Sequence, residues 1–364
     1  MDVFEAVMAK LDEFPSGAPR TEQLRQIVEA LFSVEEAKLA CQLSLQPFRE
    51  PLSRICSRTG YEPGVARALL EAMANKGLVF AREKGGEMAY ALLPLVPGIF
   101  ELQFMTARTD PKARALAKLF DDYYFSGWGA KGFGMKTAVA RTIPIQRELP
   151  AGQEVQTYER VRDLIRGQKY SALTNCFCRH EHELLEKGCG RPKEVCMIFG
   201  PFVDFAVERG FARRTTADEM LRALDVAEAA GLVHLSDNLV DRISFICNCC
   251  GCCCGFLGTI TKLKMPAAVA HSPYRLAVDE AACTDCGDCT ERCQVRALWM
   301  EGDELKRDLN RCIGCGVCVS ACESSALQLE RRPDAEVLKP FPTLLDLGMA
   351  VVKERAQKKQ PAGK

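Results

Sequence analysis

The sequence predicts an α+β protein made of three successive units. Three observations predict it. The first hundred residues show helical apolar spacing and end in two strand-like runs around Lys84, Gly85 and Gly86. A middle stretch, residues 146–270, alternates helix-like and strand-like segments and carries ten of the chain's 20 cysteines. Within residues 271–335 one four-cysteine pattern, C-x2-C-x2-C-x3-C, occurs twice.

Composition sets the outer limits. A chain of 364 residues has room for two or three domains. Hydrophobic residues make up 48% and charged residues 26%, and the net charge is zero, so no global field recruits nucleic acid or a membrane surface. No apolar run approaches the ~18 residues of a membrane span. The start, Asp2 to Glu5, is acidic and lacks the basic-then-apolar order of a secretion signal, which predicts a cytoplasmic protein. In that compartment 20 cysteines point to metal rather than disulfides. So many thiolate centres predict an anaerobic or low-oxygen host.

Residues 1–100 read as helices followed by a hairpin. Thr21 and Ser33 are candidate N-caps, and Ser33 with Glu36 has the form of a capping box. A short helix and turn covers 51–60. Val65, Leu69, Leu70 and Met73 recur at helical spacing between Glu62 and Lys76, and Gly77 stops that helix. Residues 78–82 and 88–92 read as paired strands. Helix, turn, helix, hairpin resembles the winged-helix domains of transcription regulators over residues 20–95. The resemblance implies DNA or a protein as partner. The second helix sets Arg67 and Lys76 against Glu62 and Glu71, and residues 41–90 hold seven basic and five acidic side chains. Phosphate binding wants a clear positive stripe, so protein docking is expected ahead of DNA, which stays open.

Residues 101–145 read as a connecting region. Its stretch from Phe125 to Gly134 is rich in glycine and aromatics and is expected as an irregular surface loop. No glycine–lysine–Ser/Thr element follows, so it is not a phosphate loop. In the middle module, residues 158–166, 202–208 and 217–230 read as helices. Thr215 or Thr216 caps the last, with Glu219 in its first turn and Gly231 closing it. Residues 232–235 and 243–246 read as strands, and the module as a whole as α/β.

The module's cysteines fall in two groups. Cys176 and Cys178 are followed by Cys189 and Cys196; Cys247, Cys249, Cys250, Cys252, Cys253 and Cys254 crowd into eight positions. Packing needs no such crowding, and metal does. At least one further [4Fe-4S] cluster is expected, with Cys176, Cys178, Cys189 and Cys196 as first-choice ligands. The second run completes that cluster or holds another, and zinc is the alternative ion. Cys249 and Cys250 point apart on an extended chain, so they are not expected on one metal. Arg179 is expected either to donate to cluster sulfurs or to pair with Glu181 or Glu183. Cys41 and Cys56 stand alone on apolar helix faces and read as buried core thiols.

The duplicated runs are Cys283, Cys286, Cys289 and Cys293, then Cys312, Cys315, Cys318 and Cys322. In this spacing three thiolates wrap one iron–sulfur cube and the fourth reaches the other. Cys283, Cys286, Cys289 and Cys322 then hold one [4Fe-4S] cluster, and Cys312, Cys315, Cys318 and Cys293 the second. The segment 275–332 resembles the bacterial two-cluster ferredoxins, which implies a pseudo-symmetric dicluster ferredoxin domain carrying single electrons at low potential. It departs from them where a proline commonly follows the fourth cysteine; Gln294 and Glu323 stand there. The chain as a whole resembles multi-cluster ferredoxin-like proteins of anaerobic bacteria that carry a cysteine module, and a winged helix, ahead of such a domain.

The leading expectation is an electron-transfer protein or subunit, more a carrier than a stand-alone enzyme. Its redox partner proteins would bring any flavin or nicotinamide, because no nucleotide fingerprint is present. Two alternatives stand beside it: an Fe–S redox-sensing regulator using the winged helix, and a catalytic Fe–S oxidoreductase. Residues 336–364 read as a C-terminal helix and basic tail. Leu344, Leu345, Leu347, Met349, Val351 and Val352 form an apolar face expected to pack back on the body.

Overall fold

The structure is a computed structural model and describes residues 2–133, 135–149, 160–240 and 243–359. The N-terminal unit begins with α1 (Val3–Asp12), α2 (Glu22–Leu31) and α3 (Val34–Ala40). Thr21 accepts from the backbone of Leu24, and Ser33 and Glu36 close a reciprocal capping box. β1 (Glu50–Pro51), α4 (Leu52–Thr59) and α5 (Pro63–Asn75) follow, then β2 (Val79–Lys84) and β3 (Glu87–Leu92). The strands pair in the order β1-β3-β2. Lys84 faces Glu87 across a two-residue turn in which Gly85 and Gly86 both have positive φ, a geometry glycine adopts without strain.

Residues 101–145 are structured rather than a plain connector. They contain α6 (Phe100–Met105), α7 (Pro111–Tyr123) and α8 (Gly129–Phe133). Phe104, Phe120 and Tyr123 are fully buried, and Tyr123 stacks on Trp128 at 5.3 Å. Within the expected loop Trp128 packs inward while Phe125 stays exposed; Gly134 lies outside the described residues. The last part of this stretch is β4 (Ala140–Ile143), which already belongs to the middle sheet.

That sheet also contains β5 (Ser171–Thr174), β6 (Cys196–Phe199), β7 (Arg213–Arg214), β8 (Val233–Asp237) and β9 (Phe245–Cys249), in the order β4-β8-β9-β6-β5-β7. Every pairing is antiparallel. The α/β expectation is corrected here: helix and strand alternate along the chain, but the connections return each strand antiparallel to its neighbour. The helices between the strands are α9 (Val161–Arg166), α10 (Phe177–Leu184), α11 (Phe202–Glu208) and α12 (Ala217–Ala229), followed by α13 (Gly255–Thr261). Residues 158 and 159 of the expected first helix lie outside the described residues. Successive strand residues face opposite sides. Leu173 and Met197 therefore enter the core shared with α9 and α12, whereas Ala172 and Ile198 enter the core shared with the N-terminal unit. Phe80 of β2 packs on Phe205 of α11 at 4.9 Å, joining the two units.

The C-terminal unit is β10 (Tyr274–Val278), α14 (Asp288–Arg292), β11 (Leu298–Glu301), β12 (Glu304–Arg307) and β13 (Leu327–Arg331). β10 pairs antiparallel with β13 from Tyr274 opposite Arg331 to Val278 opposite Leu327, so the two ends of the cysteine repeat are tied together. Last comes α15 (Leu344–Lys359). It packs on the body through Leu347 and Val351 against Met135 and Leu239, while Leu344, Leu345, Met349 and Val352 stay exposed. The buried face is one stripe at a four-residue step, narrower than the sequence suggests. Arg355 reaches the N-terminal unit, donating to the carbonyl of Phe14 at 2.7 Å and to the carboxylate of Asp12 at 3.0 Å. Among the described residues no helix is long and apolar enough to cross a membrane.

Candidate metal centres

The two cysteine runs of the C-terminal unit interleave. Cys289 lies with Cys286, Cys283 and Cys322. Cys318 lies with Cys315, Cys293 and Cys312, and next with Cys289, so the two groups are adjacent. The fourth cysteine of each run thus joins the first three of the other, the exchange the spacing calls for. Cys293, Cys312, Cys315 and Cys318 line one hollow closed by Leu276, Val295, Ile313 and Leu329. Such a hollow suits a compact inorganic cluster. Burial pushes the Cys315 thiol up to about 12 and the Cys289 thiol up to about 11, with neighbouring thiols adding to the shift. Thiolate ligation there needs a cation that displaces the protons. The backbone N–H of Ala297 already donates to Cys293 Sγ at 3.1 Å.

The middle module gathers its ten thiols at one end of the central strands. Cys176 follows β5 and caps α10; Cys178 sits in the first turn of that helix. Cys196 opens β6, opposite Thr174 of β5. Cys247 and Cys249 share one face of β9, two residues apart, while Asn248 points the other way and bonds to His234. Cys254 caps α13. Six of these side chains lie beside one another in a closed ring. Cys176 neighbours Cys178 and Cys196, Cys178 neighbours Cys254, and Cys254 neighbours Cys249. Cys249 neighbours Cys247, which neighbours Cys196 and completes the circuit.

The other four thiols make a separate, tighter group. The Sγ atoms of Cys189, Cys250, Cys252 and Cys253 all lie within 4.8 Å of one another. Cys189 is 3.9 Å from Cys250, and Cys252 is 3.7 Å from Cys253. Cys250 and Cys253 are buried, and Cys252 is exposed.

Arg179 lies between the ring and this group. Its side chain is buried. Nη1 donates to the Asn248 carbonyl at 2.8 Å and lies 4.0 Å from Cys250 Sγ, while Nε and Nη2 have no hydrogen-bond partner. Burial works against its charge, but Cys176, Cys196, Cys250 and Cys249 around it outweigh that and hold it protonated. Glu181 pairs with His182, and Glu183 with Lys193, so Arg179 is left to the thiols. Two unpartnered nitrogens on a buried cation beside four thiols suit acceptor sulfurs of a bound cluster.

The first-choice quartet of the sequence therefore divides. Cys176, Cys178 and Cys196 enter the ring, and Cys189 joins the second run instead. The neighbours Cys249 and Cys250 separate as an extended chain requires, one to each group. Cys56 is buried, but Cys41 is only half-buried, with its thiol on the Lys38 carbonyl at 3.4 Å. Gln294 has a role that sequence reasoning missed. Its Oε1 accepts the backbone N–H of Gly251 at 2.8 Å. A Cβ at Gly251 would stand 2.0 Å from the Gln294 carbonyl oxygen, so only glycine lets the two segments meet. The signal was the absent proline after Cys293. The joint places that cysteine's neighbour against the turn between Cys250 and Cys252. Cys247, Cys249 and Cys254 share one apolar cluster with Cys293, Cys312 and Cys315.

Neither the curated proteins nor the solved structures yield a match to this chain. A family model does: the 4Fe-4S dicluster domain matches residues 275–323, the stretch that carries both cysteine runs.

Proposed function

We propose that this chain passes single electrons between redox partner proteins through two [4Fe-4S] clusters in residues 275–332, with a further iron–sulfur centre in the six-thiol ring. The crossed cysteine quartets within the dicluster match carry the reading. Such clusters supply reversible one-electron chemistry without protons. The protein's part is to hold them close together. It does so by packing the second quartet against the ring and by joining Gln294 to Gly251. Four ring thiols suffice for a cube, and Arg179 offers cation and N–H groups that would stabilise its reduced, more negative state.

The test uses the full chain purified without oxygen. About eight irons with equal sulfide are expected from the quartets alone, with a reduced-cluster EPR signal after dithionite. A colourless chain without sulfide overturns the reading.

The order β1-β3-β2 with helices before the hairpin supports reading the N-terminal unit as winged-helix-like. A regulatory role on DNA is disfavoured because the unit's charge is near balance and several of its cations are paired internally. Lys76 pairs with Glu36 at 2.6 Å and Arg58 with Glu50 at 2.7 Å. Gel shifts of the full chain at physiological salt should show no tight duplex binding; sub-micromolar, salt-sensitive binding would reverse the order of the two readings.

A further inference from the structure

We infer that Cys189, Cys250, Cys252 and Cys253 bind a single tetrahedral metal ion, distinct from every iron–sulfur cluster of the chain. Distances decide it. An ion with four thiolates about 2.3 Å from its centre sets those sulfurs about 3.8 Å apart. The two resolved edges here are 3.9 Å, between Cys189 and Cys250, and 3.7 Å, between Cys252 and Cys253. All six edges are under 4.8 Å. A cube places each thiolate on a different iron, so its ligands stand around a core and cannot close to a single-ion tetrahedron. The ring has the opposite geometry. Among the described residues this is the one group of three or more such ligands that all approach within 4.8 Å, so no three ring thiols do.

Local structure explains why these four converge. β9 ends at Cys249, and the chain turns through Gly251 so that the N–H of Cys254 returns to the carbonyl of Cys250 at 3.2 Å. The turn brings Cys250, Cys252 and Cys253 to one side, and the segment before β6 delivers Cys189. Charge fits as well. A divalent ion with four thiolates carries a net charge of −2, and two guanidinium groups face it. Arg191 Nη1 is 3.7 Å from Cys252 Sγ, and Arg179 Nη1 is 4.0 Å from Cys250 Sγ. Four protein thiolates leave no open position, which marks a structural site of the zinc type; ferrous iron offers the same tetrahedral chemistry. The ion clamps the turn that receives Gln294, so it holds the seat of the C-terminal unit.

The test is the full chain, purified without oxygen, beside the double variant Cys189→Ser with Cys252→Ser. The variant should lose about one metal ion per chain, keep all its sulfide, and keep the reduced-cluster EPR signal of the quartets. Loss of several irons together with sulfide overturns the inference, and so does unchanged metal content. If the variant does not fold, the intact chain decides. Absorption fine structure at the zinc edge should give four sulfurs at about 2.3 Å and no metal neighbour. If zinc is absent, Mössbauer spectra should show one tetrathiolate iron outside the clusters. Neither signature means there is no such site. Failure of the electron-transfer reading would appear instead in the quartets' iron, sulfide and EPR.

Discussion

The C-terminal unit and the middle module are both built of cysteine, yet they write their sites differently. In the C-terminal unit, three thiols of each group lie within seven consecutive positions and a simple duplication supplies the fourth. Geometry there is local, and spacing alone states it. In the middle module the ring draws on Cys176, Cys178, Cys196, Cys247, Cys249 and Cys254, from two strands and two helix starts. Its geometry exists only once β5, β6 and β9 are paired. The local site should therefore tolerate damage to the rest of the fold, whereas the assembled site and the sheet should stand or fall together.

Three experiments would break or sharpen that contrast. The largest effect is expected when all eight cysteines of the quartets are replaced by serine. About eight irons should leave with their sulfide, while the middle module keeps its metal and its fold. A chain that loses every metal at once would show that the two regions are not separate. Next is Cys247→Ser with Cys249→Ser. It should remove about four irons and leave the quartet EPR signal in place. Because metal–thiolate bonds are also folding energy, hydrogen exchange in β5, β6 and β9 should speed up markedly, and in β10 and β13 it should not. Equal exchange in both regions would contradict the distinction drawn here. The smallest effect is Gln294→Ala. It leaves the Gly251 N–H without its acceptor, which should cost about 1–3 kcal/mol in denaturant unfolding, with iron content unchanged. No shift in the midpoint would mean that the joint between the regions carries no energy.

Legibility in the sequence follows the same divide. Caps were readable because they depend on neighbours: Ser33 with Glu36, and Thr216 with Glu219, form the capping boxes their spacing announces. The hairpin around Gly85 and Gly86 was readable for the same reason. The stretch from Phe125 to Gly134 was not. Its glycines suggest a loop, but Trp128 gains more by stacking on Tyr123 than by staying exposed. The antiparallel sheet was illegible too, because strand direction depends on how the connections cross, not on any one segment. The division of the ten middle thiols into six and four follows from strand register and from the turn at Gly251. Neither is written in cysteine spacing. Only the alternation of Cys249 and Cys250 gave it away in advance.

Arg355 has a consequence in time. It meets the Phe14 carbonyl across 341 positions of sequence. During synthesis it leaves the ribosome after every residue it braces, when the N-terminal helices and both cysteine regions are already out and able to fold. Loop closure over so long a span grows only logarithmically in cost, and the intervening units, once folded, shorten the path further. The strap from α15 to α1 is therefore a late fastening. It secures a molecule whose metal sites are already within reach of whatever loads them.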